Sequence, residues 1–178
     1  GFGDSTGLGL TGESAGLMPQ RRYWGQLDRA TFAFGYGLMV TPLQLAHVYA
    51  TIGSYGIERP LSITRIDPPV MGTRVMPEQI VHEVEHIMES VALPGGGGTK
   101  AAVRDYRVAV KTGTAKKIGP DGKYIDKYVA YTAGVAPASN PKFALVVVMN
   151  DPSNGSYYGG AVSAPVFSQI MGDVLRLE

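Results

Sequence analysis

An α+β fold, an antiparallel sheet layered with helices, is the class this sequence predicts. Three observations carry it. Segments with helical spacing flank a row of segments with strand character. The links between the strand-like segments are short turns, which join antiparallel neighbours. Glycine is abundant, 24 of 178 residues, but follows no Gly-X-Y period, so it marks tight turns and close backbone approaches rather than a fibre.

In chain order, residues 1–26 are rich in Gly, Ser and Thr and read as loop with short extended pieces. Thr41-Pro42 signals a helix start, Thr as N-cap and Pro at the first helical position. Leu45, Val48, Tyr49 and Ile52 then keep helical spacing until Gly53 and Gly56. Leu61–Ile66 suits a short strand closed by Pro68-Pro69. A second helix starts near Pro77, with Ile80, Val81, Val84, Ile87, Met88 and Val91 as its apolar face, and ends at Pro94 and the glycine run 95–98. Strands are expected over Tyr106–Ala115, Tyr128–Ala136 and Phe143–Met149, joined by Gly119-Pro120-Asp121-Gly122 and by Asn140-Pro141. The unbroken apolar run of the third suits a strand buried on both faces. After a polar loop over 151–160, a last helix runs from about Ser163, with Val166, Phe167, Ile170, Met171, Val174 and Leu175 on one stripe. Neither a repeat nor a linker divides the chain.

Composition narrows the function. A hydrophobic share of 44% excludes a disordered chain. A net charge of +1 leaves no basic field for nucleic acid. The absence of cysteine excludes disulfide scaffolds, thiolate zinc sites and thiol nucleophiles. The longest apolar run, Phe143–Met149, is far short of the ~20 residues that span a bilayer. The chain opens on Gly1 rather than Met, and we expect it to be a piece of something longer.

Four short motifs match by letter and fail by context. Gly12-Glu13-Ser14-Ala15-Gly16 fits a nucleophile elbow, but no strand leads in and Pro19 interrupts any helix after it. His82-Glu83-Val84-Glu85-His86 fits H-E-x-x-H. There His82 and His86 could bind zinc with Glu83 as general base, but the histidines sit with Glu85 and Glu89 opposite the apolar stripe, and no third ligand follows. Gly95–Lys100 lacks the order of a phosphate-binding loop and reads as a flexible connector. Ser139-Asn140-Pro141-Lys142 spells S-x-x-K inside a turn, where a helix is required.

Lys111-Thr112-Gly113-Thr114 survives. On a strand at the wall of a cleft, Lys111 brings a cation and Thr112 and Thr114 bring hydroxyls suited to a carboxylate. Gly113 leaves the strand bare, so a peptide backbone can lie against it, and the Thr114 N–H can face a developing oxyanion. Strict alternation puts Thr112 and Thr114 on one face and Lys111 and Gly113 on the other.

Further phrases give that stretch a context. They are Phe34-Gly35-Tyr36-Gly37, Val40–Ala46, Lys111–Lys117, Ala133-Gly134-Val135-Ala136-Pro137, Phe143–Pro152 and Tyr157–Phe167. In these phrases, which span nearly the whole chain in order, it resembles the class B penicillin-binding proteins, specifically the division-specific transpeptidases of the FtsI type. The resemblance implies the penicillin-binding protein and serine β-lactamase-like fold, with residues 1–178 as the C-terminal part of one transpeptidase domain. It implies a serine acyl-enzyme that cross-links peptidoglycan, with a D-Ala-D-Ala stem peptide as donor, an amine of a second stem peptide as acceptor, and β-lactam antibiotics as mimics of the donor. Lys111 then supports the electrostatics and proton path around the serine of the S-x-N motif. Thr112 and Thr114 hold the terminal carboxylate, and the Thr114 N–H is half of the oxyanion hole. Tyr157 and Tyr158 form part of an aromatic rim, or else pack the last helix.

No cofactor is implied. Division-machinery membrane proteins are expected partners, and the periplasmic face of the inner membrane the expected location, with an N-terminal anchoring helix absent from this chain. The family's S-x-x-K and S-x-N motifs are also absent, so this chain alone is expected to be inactive. Two other functions compete: a non-catalytic module that binds wall peptide or division partners, and a zinc hydrolase built on His82, Glu83 and His86.

Overall fold

A computed structural model describes residues 1–153 and 155–178. Its centre is a three-stranded antiparallel sheet of order β3-β4-β5, formed by β3 (Ala109–Ile118), β4 (Tyr124–Ala136) and β5 (Phe143–Asn150). Helices α1 (Gln26–Ala33) and α2 (Pro42–Gly53) precede it. They are followed by a short ribbon of β1 (Ile57–Glu58) and β2 (Thr73–Arg74), then by α3 (Glu78–Glu89). After the sheet come α4 (Gly159–Val162) and α5 (Ala164–Arg176). Helices cover both faces, giving the predicted layered α+β arrangement.

Alternation along the strands sorts the core into two layers. Val108, Val110, Ala136 and Val147 meet Phe167, Met171 and Leu175 of α5 on one face. Ala109, Ala133 and Val135 meet Tyr49 of α2 and Met88 of α3 on the other. Phe167 is fully buried. The start of α2 is as its sequence requires. The Thr41 hydroxyl accepts the Gln44 N–H at 3.1 Å, and the Gln44 amide oxygen accepts the Thr41 N–H at 2.9 Å. The same buried Gln44 amide donates to the carbonyls of Asp4 and Ala15, each at 2.9 Å, and so pins the N-terminal loop to the helix.

Several elements differ from expectation. No strand forms over Leu61–Ile66. The Ser62 hydroxyl donates to the Thr64 carbonyl at 2.7 Å and accepts the Thr64 N–H at 3.1 Å, which folds the segment onto itself. Its neighbours at Ile57–Glu58 and Thr73–Arg74 pair instead. Helix α1, unmarked by strong apolar spacing, buries no residue. Strand β3 starts three residues late, because Val103 and Tyr106 bridge each other across a turn with Asp105 at φ 68°. Strand β4 starts four residues early, its pairing continuing to Ile118–Tyr124. Strand β5 lies at the sheet edge, so only Val147 is buried and Val148 is exposed, not covered on both faces.

The largest departure is in α3. Its buried stripe is Val81, Glu85 and Met88, while Ile80, Val84 and Ile87 are exposed. Glu85 therefore does not share the solvated face of His82 and His86. The helix rotation is fixed at its end, where Arg107 forks onto Glu89 at 2.6 and 2.7 Å just before β3, and by Met88 against Ala109 in the core. Burial pushes the Glu85 carboxyl above its ordinary value of 4.5, partly countered by His82 and reinforced by Glu89. One of its oxygens has no hydrogen-bond partner among the described residues. The folded state thus holds the Glu85 proton more tightly than the unfolded chain. Its contribution is favourable at low pH and is lost as pH rises above 4.5 through the raised folded value. Glu85→Leu should stabilise the full-length protein at neutral pH by about 1–3 kcal/mol, since an unpaired buried polar group gives way to an apolar one. It should also flatten that pH slope, and thermal melts from acid to neutral pH read both effects.

Candidate active site

Strand β3 is an edge strand, and its Lys111–Thr114 stretch is open on the side away from β4. Thr112 lies opposite Thr132 and Thr114 opposite Ala130, on the α5 side of the sheet. Lys111 lies opposite Ala133 and Gly113 opposite Tyr131, on the α2 side. The alternation read from the sequence is therefore real.

The Thr side of this strand forms one wall of a groove of about 350 Å³. Thr112, Gly113 and Thr114 line it, as do Tyr158 and residues 159–161 at the start of α4, with Gly97, Thr99 and Lys100 as the remaining lip. Lys111 is not among the lining residues. It is exposed, and its Nζ donates to the Thr112 carbonyl at 2.6 Å.

The wall is held by backbone contact and a buried hydroxyl pair. Gly159 packs so closely that a Cβ there would lie 2.6 Å from the carbonyl oxygens of both Gly113 and Tyr131. Only glycine permits that approach. The Gly159 N–H donates to the Thr114 hydroxyl oxygen at 3.0 Å. With that oxygen already accepting, the Thr114 hydroxyl proton is free to donate into the groove. Behind it, the Ser163 hydroxyl donates to the Gly159 carbonyl at 2.9 Å. Its single proton is thereby used, so Thr132 donates to Ser163 across 2.8 Å. This fully buried pair ties β4 to α4 and so fixes the groove floor.

Gly113 is glycine for a different reason from the one expected. The space of its absent side chain is filled by the Tyr131 ring, 2.1 Å from where a Cβ would lie. The missing side chain would point into the core layer under α2, while the Gly113 backbone lines the groove.

The two loop tyrosines pack on each other and on β4. Tyr157 stacks on Tyr128 at 3.9 Å with rings nearly parallel, and Tyr158 leans on Tyr157 at 4.6 Å. Tyr158 is exposed and lines the groove, whereas Tyr157 stands behind it as support. Burial and the hydrogen bond to Asp126 hold the Tyr128 hydroxyl above its ordinary range, and the contact with Tyr157 does the same for Tyr158. Both stay neutral phenols at physiological pH.

Other motif residues are dispersed. Ser14 lies in a loop, and Ser139 in a turn whose Lys142 pairs with Glu178. His82, Glu83 and His86 are exposed, and Glu83 meets Gln79. No group of His, Asp or Glu suited to hold a metal occurs among the described residues. The zinc-hydrolase alternative has no support. Sequence reasoning missed Gly97, Thr99 and Lys100 as groove residues and Tyr128, Tyr131 and Ser163 as its supports. The glycine run was the available signal for the first group. It is no loose connector, because a Cβ on Gly160 would lie 2.1 Å from the Gly97 carbonyl oxygen.

A layered α+β sheet whose K-T-G edge strand lines a groove beside a glycine-led helix start defines a transpeptidase fold of the penicillin-binding type. The chain belongs to the penicillin-binding protein transpeptidase domain family, whose model matches residues 1–172. It is 73% identical over 176 residues to the peptidoglycan D,D-transpeptidase FtsI of Escherichia coli K12, a match covering 99% of this chain and 30% of that protein. It is 41% identical over 178 residues to the probable peptidoglycan D,D-transpeptidase PenA of Neisseria gonorrhoeae, again with 99% and 30% covered. The solved apo transpeptidase domain of Burkholderia pseudomallei penicillin-binding protein 3 superposes with a TM-score of 0.92 at 38% identity. That match covers 99% of this chain and 54% of the solved one. The chain thus spans about 30% of the length of these curated relatives.

Proposed function

We propose that this chain forms the K-T-G wall and carboxylate subsite of a serine D,D-transpeptidase that cross-links peptidoglycan stem peptides during septal wall synthesis. The carrying observation is the Thr114 hydroxyl oxygen, which accepts the Gly159 N–H beside a groove lined by Thr112 and Thr114 and so leaves its proton free to donate there. In this reading the terminal carboxylate of a D-Ala-D-Ala donor accepts from the two threonines. A serine hydroxyl from outside residues 1–178 adds to the penultimate carbonyl, and the Thr114 N–H stabilises the oxyanion. The terminal D-Ala leaves as an amine, taking the proton the serine gives up. An amine of a second stem peptide then displaces the ester, restores the serine and completes the cross-link. A β-lactam, with its carboxylate beside a reactive amide, enters the same subsite and acylates the same serine.

Lys111, folded onto the Thr112 carbonyl, supports the strand edge and carries positive charge next to the incoming motifs. Tyr158 forms the rim. The names of the relatives support peptidoglycan as substrate and β-lactams as ligands. Division-machinery membrane proteins as partners, and the periplasmic face of the inner membrane as location, extend the reading from the FtsI likeness. No helix among the described residues is long and apolar enough to cross a membrane.

Peptide mapping of the full-length protein after reaction with a penicillin tests the assignment. A single acyl adduct is expected, on a serine outside residues 1–178. An adduct on Ser14, Ser139 or any other residue of this chain would overturn the division of labour, and no adduct at all would favour the non-catalytic binding module.

A further inference from the structure

We infer that Lys100 is the cation that reads the substrate carboxylate in the groove, acting opposite the hydroxyls of Thr112 and Thr114. This rests on the transpeptidase reading above and adds a specificity-determining residue to it. Lys100 is the one charged residue lining the groove among the described residues, and no acidic side chain lines it. Lys111, the lysine of the K-T-G stretch itself, is committed to the Thr112 carbonyl and does not line the groove. A ligand anion between the threonines and the opposite lip therefore has Lys100 as the one ammonium on the groove lining itself, with Lys111 adding its charge from the other face of the strand.

The lip that bears Lys100 is built to hold a long side chain at a fixed base. Thr99–Ala101 forms a tight 3-10 turn, with the Ala101 N–H on the Gly98 carbonyl at 2.8 Å. The Gly98 N–H reaches back to the Val91 carbonyl at 3.0 Å. Ala101 is completely buried in the layer under α5, and the Ser168 hydroxyl of α5 donates to the Ala102 carbonyl at 2.5 Å. On the other side, the Gly97 carbonyl presses against Gly160, where a side chain would collide with it. The backbone on both sides of Lys100 is thus anchored to α4 and α5, the elements that fix the opposite wall. Lys100 itself is exposed, and no salt bridge among the described residues occupies its ammonium. Thr99 beside it adds a third groove hydroxyl. The chemistry recognised is a compact monoanion on an otherwise neutral peptide end, held by hydroxyls from one side and an ammonium from the other.

The test uses the full-length protein, a penicillin, and the methyl ester of the same penicillin. Lys100→Met should lower the second-order rate of acylation by the free acid about five- to twentyfold, mainly through weaker initial binding. Lys100→Arg should retain the rate within about threefold, since charge rather than shape is read. The ester should react equally with the original protein and with Lys100→Met. Raising the ionic strength from about 0.05 M to about 0.5 M should shrink the gap for the acid. No loss with the acid, or the same loss with acid and ester, would overturn the role of Lys100 while leaving the transpeptidase reading intact. A full-length protein that neither compound acylates would overturn that reading, and the carboxylate role with it.

Discussion

Thr114→Val in the full-length protein is expected to slow acylation by a penicillin roughly ten- to a hundredfold, because a hydrogen bond to a charged group is worth ~1.5–3 kcal/mol. Valine keeps the shape and β-branching that suit a strand, so β3 and its register with β4 should persist. What goes is one oxygen with two duties. It accepts the Gly159 N–H, and its proton is left free to donate into the groove. Removing it also leaves the N–H of the buried Gly159 without its acceptor, which should lower the melting temperature by a few degrees. Thr114→Ser keeps both duties and should retain the acylation rate within about threefold. Stopped-flow acylation and thermal melts on the three proteins separate the roles. If Thr114→Val acylates at the original rate, the carboxylate role of this hydroxyl is wrong. If serine fails as badly as valine, the hydroxyl alone does not account for the role of Thr114, because serine lacks only the methyl. The oxyanion donor is a backbone N–H, so neither variant probes it.

The sequence made some of this legible and hid the rest for physical reasons. The α2 start was readable because a capping box is local: Thr41 and Gln44 meet within one turn. The central hairpins were readable because short turns leave no other pairing. The K-T-G wall was readable from its residue types and from the family phrases around it. Helix α3 was misread because amphipathic spacing reports a wide apolar arc, while docking chooses a stripe within it. The fork of Arg107 onto Glu89 turned Glu85 inward and left Ile80 and Ile87 outside. No local signal carries that choice. The groove lip was missed for a related reason. Glycine runs usually mean freedom, yet here a Cβ on Gly96 would collide with the Ser90 and Val91 carbonyl oxygens, and one on Gly98 would press on the Thr112 and Val91 side chains at 3.0 Å. Such closeness is a tertiary fact, and only through it does Lys100 come to line the groove.

Gly113 shows how that difference changes an experiment. From its bare strand surface alone, a side chain at this position would obstruct substrate and spare the fold. The structure reverses the order. A Cβ at 113 would lie 2.1 Å from two ring carbons of Tyr131, whose ring packs in the layer of Tyr49, Ala133 and Val135. Gly113→Val must push that ring aside or bend the edge strand away from β4. Overpacking of this kind costs about 1–3 kcal/mol. The melting temperature of the full-length protein should fall several degrees, with acylation lost because Thr112 and Thr114 move with the strand. The discriminating variant is Gly113→Ala with Tyr131→Ala. Clearing the ring should let the 113 side chain fit, so the double variant should be more stable than the sum of the single losses implies, by about 1 kcal/mol or more of coupling. A peptide lying directly against Gly113 would give the opposite pattern: Gly113→Ala would melt normally, lose acylation, and gain nothing from removal of the Tyr131 ring. Melting curves and acylation rates on the four proteins of this cycle decide whether the glycine serves the layer beneath the strand or the ligand above it.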